Sequence, residues 1–488
     1  MVIFLNTTPP NTADLFRLKR TLFLFLAAYA FLAVAFYFLA GHQLRFRPSK
    51  GAWELPQPET ETVEMVQGAV VEQVFTAEIQ RLQSIRIQWG AYMRANEGVV
   101  SVELYDLRDR SLLMRQTLDA ACLTEGAVTV MSADEPIETV YQAPLLLRIT
   151  SNSQPGSGVS PLMSGTQRAE GFALYLNGTQ VPGTLCFSAG GEDYIWTGLH
   201  YWEFAAAFGL ALAFYLLLAY RRWRRGEGSV LLNAMAAVKK YRFLIKQLVA
   251  RDFKAKYKRS VLGVFWSFLN PLLTMIVQYA VFSQLFRYDV PNYPVYLLSG
   301  IVIFNYFSEA CGMALGSIVG NASLITKVYV PKYIYPLTRV LSSLINLLIS
   351  MIPLLLVVLI SGLRPTKAYL LLPFVLICLV VFCLGLGMLL ASAMVFFRDI
   401  QFLWNVLTMI WMYLTPIFYP ESILPQNVAW ALKINPLYYF ITFVRTCMID
   451  GVSPEPVLYV QCFLTALVYL AAGALVFKRT QNKFILYL

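Results

Sequence analysis

Apolar residues gather in eight blocks along the chain, roughly Leu22 to Ala40, Trp202 to Tyr220, Val261 to Phe286, Val295 to Val319, Leu337 to Ser361, Tyr369 to Phe396, Phe402 to Phe418 and Leu458 to Phe477. A helix needs about 20 residues to cross a hydrocarbon core. Each block is therefore predicted to be a transmembrane helix. From about Glu59 to Ile195 the pattern changes to short alternating runs, "SIRIQWGAY", "VVSVELYDL", "LLLRITS" and "GFALYLNG", set apart by Gly, Pro, Asn and Ser. A period of two marks half-buried strands. This region is predicted to be an all-β sandwich or jelly roll.

With 58% hydrophobic and only 14% charged residues, the chain has too little charge to coat ordinary soluble domains, which makes it an integral membrane protein. Its first apolar block follows a basic "RLKR" and could pass for a signal peptide. That block is longer than the usual signal core of about 7 to 15 residues, and the "AGHQ" after it is a poor cleavage site, so an uncleaved anchor is expected.

Charge sets the orientation. Arg17, Lys19 and Arg20 precede the first block, and Arg221, Arg222, Arg224 and Arg225 follow the second. The positive-inside rule puts both of those ends in the cytoplasm and the β region outside. Alternation then places Arg287 to Pro294 outside, "ITKVYVPKYIY" inside, "GLRPTK" outside, and "FRDIQ" and the tail "KRTQNK" inside. Only Arg364 and Lys367 run against the rule. The net charge of +11 thus reads as membrane topology. Its cations flank spans instead of forming one basic domain with base-stacking aromatics, so nucleic acid is not an expected partner.

The expected organisation is an N-terminal anchor (1–41), an extracytoplasmic β domain (42–200), a second span with a basic linker (201–230), an amphipathic helix (231–260) and a six-span core (261–488). On a helical wheel Val238, Tyr241, Leu244, Ile245, Leu248, Val249 and Phe253 share one face of the amphipathic segment, with Lys240, Arg251, Lys254 and Lys258 opposite. Arg242 and Lys256 interrupt the pattern and are expected to snorkel. Such a helix lies on the cytoplasmic surface, where Arg251, Lys254, Lys258 and Arg259 can meet anionic head groups. In the β region Trp89, Tyr92, Tyr105 and Trp196 are candidate sugar platforms, each also readable as a core residue. Cys122 and Cys186 are the only cysteines outside the membrane and could form a disulfide. Cys311, Cys378, Cys383, Cys447 and Cys462 are scattered through apolar segments without metal-ligand spacing, so no metal site is expected.

Four segments, "LVARDFKAKYKRSVLGVFWSFLNPLLTMIVQYAVFSQLF", "NASLITKVYVPKYIYPLTRVLSSLIN", "FFRDIQFLWNVLTMIWMYLTPIFYP" and "LKINPLYYFITFVRTCMIDG", occur in the order found in the permease subunits of ABC exporters for O-antigens, teichoic acids and capsular polysaccharides. The chain resembles that family from about Leu231 to its C-terminus. The two earlier spans and the β domain have no counterpart in the basic permease.

The resemblance implies a non-enzymatic transport subunit. It would work as a homodimer, docked to two copies of a cytoplasmic ABC ATPase that binds ATP and Mg. This chain has no G-x-x-x-x-G-K-[ST] phosphate loop and needs no cofactor of its own. The family's coupling helix would fall at 320–334, where Asn321 or Ser323 can cap a short helix that Pro331 limits. Leu324, Ile325, Lys327, Val328 and Tyr329 are the expected ATPase contacts. The Pro-broken stretch 419–450 is expected to form two outer re-entrant gate helices, with Pro420, Glu421, Asn435, Pro436 and Tyr438 as gate residues. A lipid-linked glycan would pass along aromatic rings, for which Trp266, Phe268, Tyr279, Phe304, Tyr306, Phe307, Trp404, Trp411 and Tyr413 are candidates. Glu309 and Asn305 are polar at membrane depth, and Arg398 and Asp399 are expected to pair. Two rival readings stay open: an ABC exporter of drugs or small lipids, and a membrane glycan-modifying enzyme. His42 and His200 are the only histidines, and no nucleophile–base constellation accompanies them.

Overall fold

Seven helices among the described residues are long and apolar enough to cross a membrane. The computed structural model describes residues 12–49, 51–138, 141–165, 171–225, 230–258, 261–286, 292–327, 330–421, 430 and 432–487. The chain divides into two units: Arg45–His200, and Met1–Leu44 with Tyr201–Leu488.

In the helical unit those seven helices are α1 (Thr12–Ala40), α2 (Tyr201–Arg224), α4 (Phe265–Phe286), α5 (Tyr293–Leu315), α7 (Ile334–Ile360), α8 (Leu372–Phe396) and α11 (Pro456–Thr480). Between them lie α3 (Val230–Tyr257), α6 (Ala322–Lys327), α9 (Ile400–Leu414) and α10 (Pro436–Arg445), and α12 (Phe484–Tyr487) follows α11. The seventh apolar block, Phe402 to Phe418, is shorter than its composition suggested. It forms α9, 15 residues long, which at a rise of about 1.5 Å per residue falls short of the hydrocarbon thickness. Pro416 explains the stop, because its missing N–H and its ring cannot continue the helix.

Helix α5 is the axis of this unit. Most of its residues are buried, and Phe307 at its middle meets Phe382, Trp404 and Trp411 at centroid separations of 5.9, 5.9 and 5.0 Å. Helices α8 and α11 approach more closely, because Gly385 and Gly473 face each other. A Cβ added to Gly473 would stand 2.0 Å from the carbonyl oxygen of Gly385, so only glycine fits this crossing. Helices α1 and α2 form a hairpin. The hydroxyls of Tyr29 and Tyr201 donate to the carbonyls of Ala205 and Ala33 at 2.6 and 2.7 Å, and Phe36 meets Tyr459 of α11 edge-on.

The Arg45–His200 unit holds two antiparallel sheets. The strands are β1 (Phe46–Pro48), β2 (Thr60–Glu61), β3 (Val70–Thr76), β4 (Arg81–Gly90), β5 (Val99–Asp106), β6 (Leu112–Asp119), β7 (Val128–Ile137), β8 (Pro144–Ser151), β9 (Ser160–Ser164), β10 (Ala173–Leu176), β11 (Thr179–Val181), β12 (Thr184–Leu185) and β13 (Phe187–Tyr194). One sheet runs β1-β13-β4-β9-β12, with β7 added on β4 and β2 on β9. The other runs β11-β10-β3-β8-β5-β6. Alternation drives the packing: Val71 and Phe75 of β3, Leu145, Leu147 and Ile149 of β8, and Ile85, Ile87 and Trp89 of β4 all enter one core. Buried Gln73 of β3 ties the sheets together. Its Oε1 accepts from the Leu185 N–H at 3.0 Å, and its Nε2 donates to the carbonyls of Val74 and Ala173.

Cys122 and Cys186 are not bridged. Cys122 is exposed on the turn after β6, whereas Cys186 is buried between β12 and β13, so the two thiols face different media. Burial pushes the Cys186 thiol up to about 11, which keeps it protonated at neutral pH and poorly nucleophilic. Maleimide is therefore expected to modify Cys122 on the folded protein and to reach Cys186 only after unfolding. Peptide mass spectrometry reads this directly, and a Cys122–Cys186 crosslinked peptide would refute it.

Candidate functional site

Two polar constellations lie near opposite ends of α5, and each fixes backbone that has no regular partner. The first centres on Arg445, the last residue of α10, which is almost fully buried. The chain leaves α9 at Thr415 and runs irregularly through Pro416, Ile417, Phe418 and Tyr419. Side chains capture all four of those carbonyls. Arg445 Nη1 donates to Pro416 O at 2.7 Å and Nη2 to Ile417 O at 3.2 Å. Tyr293 donates to Phe418 O at 2.7 Å and Tyr296 to Tyr419 O at 2.8 Å. The Arg445 guanidinium also stands 3.4 Å from the centroid of the Tyr296 ring, which receives the cation on its π face. Non-helical backbone is tolerated at membrane depth only when it is satisfied in this way.

The expected gate residues gather at the same end. Asn435 caps α10 by accepting from the Leu437 N–H at 3.1 Å, and Pro436 occupies the first helical position, where a missing N–H is harmless. The same Asn435 oxygen accepts from the Trp411 indole at 2.8 Å, and its Nδ2 donates to the Thr415 hydroxyl at 2.8 Å. Tyr438 donates to Glu421 at 2.7 Å, beside Pro420. The first of the two expected re-entrant helices lies outside the described residues.

The second constellation centres on Asp252 of α3, an acid in a helix rich in cations. Its carboxylate is buried and lies 2.9 Å from Arg251 and 3.3 Å from Arg339 of α7. Arg251 also donates to Asn321 Oδ1 at 3.2 Å, and Asn321 Nδ2 donates to the Ser317 carbonyl at the end of α5. Asn321 therefore clasps the entry to α6 instead of capping it. A related network follows along α3: Lys256 meets Glu309 of α5 at 2.8 Å, Asn346 of α7 donates to the same carboxylate oxygen at 2.6 Å, and Tyr257 donates to Asn346 at 2.9 Å and bonds the Ser267 hydroxyl. Glu309 thus serves interhelical bonding, while Asn305 is exposed.

Several expected contacts are corrected by this geometry. Ile325 of α6 is buried with Ile318, Tyr335, Val395, Phe477 and Phe484, and Leu324 packs against them. Both anchor α6 to its own chain, because an apolar side chain on a six-residue helix gains most from the nearest core. The outward residues are Ser323, Thr326 and Lys327; Val328 and Tyr329 lie outside the described residues. Arg251 is engaged by Asp252 and not free for a head group. Lys254 and Lys258 are exposed, and Arg259 is outside the described residues. Phe304, Tyr306, Phe307 and Trp404 are buried in the helical core and Trp411 is partly buried, which removes these rings from any lining surface of the single chain. Trp266, Tyr279 and Tyr413 remain exposed. Arg398 and Asp399 stand exposed before α9, with no ion pair between them among the described residues. In the β unit Trp89 is core and bonds Thr129, Tyr92 lies under Arg94, Tyr105 donates to Glu103, and Trp196 is largely exposed.

Asp252, Arg339 and Arg445 were missed by the sequence reading. An acid alone among seven cations in α3 and an arginine inside the apolar run "FITFVR" are the signals that point to them.

The ABC-2 type transporter family matches residues 243–449. O-antigen export system permease protein RfbA of Myxococcus xanthus is 32% identical over 247 residues, 50% of this chain and 95% of that protein. The Klebsiella pneumoniae protein of the same name is 27% identical over 242 residues, covering 49% and 93%. Capsule polysaccharide export inner-membrane protein CtrC of Neisseria meningitidis serogroup A is 24% identical over 201 residues, covering 40% and 75%.

Proposed function

Because the chain belongs to the ABC-2 type transporter family of export permeases, we propose that it moves a lipid-linked polysaccharide out of the cytoplasm at the expense of ATP hydrolysed by a separate subunit. The observation that carries this reading is the 32% identity to an O-antigen export permease across nearly all of that relative. The chain is a multi-pass membrane permease. Both its termini lie in the cytoplasm and the β unit lies outside, as the cation distribution directs.

Two copies pair, and exposed Trp266, Tyr279 and Tyr413 offer rings on which apolar sugar faces stack at a seam between them. Nucleotide and magnesium belong to the ATPase partner. That partner docks on α6, where Ser323, Thr326 and Lys327 face outward while Ile325 holds the helix to the core and the Asp252 cluster holds its entry. Motion of the partner is thereby passed to α3, α5 and α7 together. The exposed faces of the β unit receive the emerging chain.

Lys327→Glu with Thr326→Glu tests the docking. The expected result is a several-fold loss of co-purifying ATPase and of surface polysaccharide, with the permease still inserted at normal abundance. Undiminished recovery of both would remove α6 from the contact.

A further inference from the structure

Helix α3 carries seven cations and a single acid, and they do not all do the same work. Arg251 and Lys256 are spent on Asp252 and Glu309. Arg242, Lys246 and Lys254 are exposed and have no carboxylate within ion-pair distance among the described residues. All three rim one groove of about 490 Å³ between α3 and α7, whose walls are Ile245, Val249, Ala250, Phe253, Leu341 and Ile345. The lining surface is almost wholly apolar, so the three cations border it with their aliphatic stems and their charged ends can snorkel out at its edge.

We propose that this groove binds one acyl chain of an anionic phospholipid of the cytoplasmic leaflet, with the lipid phosphate held by Arg242, Lys246 and Lys254. Charge complementarity selects the head group: three unpaired cations at the mouth of an apolar slot favour a net negative phosphate over a zwitterion. Volume selects the tail, since the groove suits one fatty chain and a long polyprenyl tail exceeds it. The spacing on α3 also suits the task. Residues 242, 246 and 254 fall within about one third of the helix circumference at 100° per residue, beside the stripe of 245, 249 and 253. A lipid seated here would brace α3 against α7, next to the Asp252–Arg339 contact. The site requires the unit's place in a membrane and not the cargo proposed above.

Native mass spectrometry of the full-length detergent-solubilised protein, titrated with phosphatidylglycerol, phosphatidylcholine or undecaprenyl pyrophosphate, tests the assignment. Phosphatidylglycerol is expected to bind and phosphatidylcholine to bind at least tenfold more weakly. Arg242→Gln with Lys246→Gln should weaken phosphatidylglycerol about tenfold, and Ile345→Trp should block it by filling the slot while leaving every cation in place. Lys239→Gln, an exposed cation of α3 that does not line the groove, should leave binding unchanged. Wild-type binding in either groove variant overturns the site. Equal weakening by Lys239→Gln overturns it in favour of diffuse surface attraction, and displacement of phosphatidylglycerol by undecaprenyl pyrophosphate overturns it in favour of a cargo site. Loss of export with phosphatidylglycerol binding intact would count against the transport reading alone.

Discussion

Replacing Arg445 with alanine is expected to lower the melting midpoint of the solubilised protein by roughly 4 °C and to abolish export. The residue sits at the end of α10 with no carboxylate in ion-pair distance among the described residues, and its charge is spread over the carbonyls of Pro416, Ile417 and Tyr296 and the face of the Tyr296 ring. Deleting it strands acceptors that water does not reach. Each unsatisfied buried carbonyl costs about 1–3 kcal/mol. Pro416 O and Tyr296 O keep other partners, the hydroxyls of Tyr296 and Ser299, so the total is nearer 3 kcal/mol than the full sum. Arg445→Lys should recover little, because an ammonium cannot fork between two backbone oxygens and stack on a ring at once. A thermal scan settles the matter, and an alanine variant melting within about 2 °C of the parent would show that the turn after α9 holds itself.

The second large effect is expected from Asp252→Asn, at the other end of α5. Arg339 is three-quarters buried on its side chain, while Arg251 is half exposed, so the loss is that of a buried pair discounted for solvent: roughly 2 kcal/mol. If that energy couples α6 to α3 and α7, export falls about thirty-fold while insertion and melting change little. The partner's ATPase activity should persist without export. Asp252→Asn, Arg339→Gln and the double variant form a cycle, and a double variant no worse than the worse single one is the signature of a shared contact. Strict additivity would mean that the two side chains act independently.

What the sequence disclosed follows from how each feature is encoded. Span positions are written in long apolar runs, and strand positions in a period of two, so "VVSVELYDL" became β5 and "LLLRITS" became β8. Which ring faces which neighbour is not written there. Helix α5 is apolar nearly all round, and a run that is hydrophobic on every side gives no sign of which partner it will meet. The rings of Phe307 and Trp404 were thus expected on a lining surface but lie inside the core. The surroundings of the expected ATPase contacts are not written there either. Ile325 and Leu324 read as an exposed apolar grip, yet the aromatic tail at Phe477 and Phe484, some 150 positions later in the sequence, supplies the pocket they fill. Asp252 was hidden by the cations around it. Cys122 and Cys186 could be offered as a possible bridge only by count, since the sequence does not say which one the sheets bury.

The contact of Gly385 with Gly473 limits how this permease can work. Two backbones meshed that tightly resist axial slip, since a shift of one residue would bring a side chain onto the facing carbonyl. Helices α8 and α11 therefore turn as a single spar, carrying the α1–α2 hairpin at Tyr459 with them. Shear within the helical unit must then be borne away from this seam, by α3 and α4, which pack on α5 and α7.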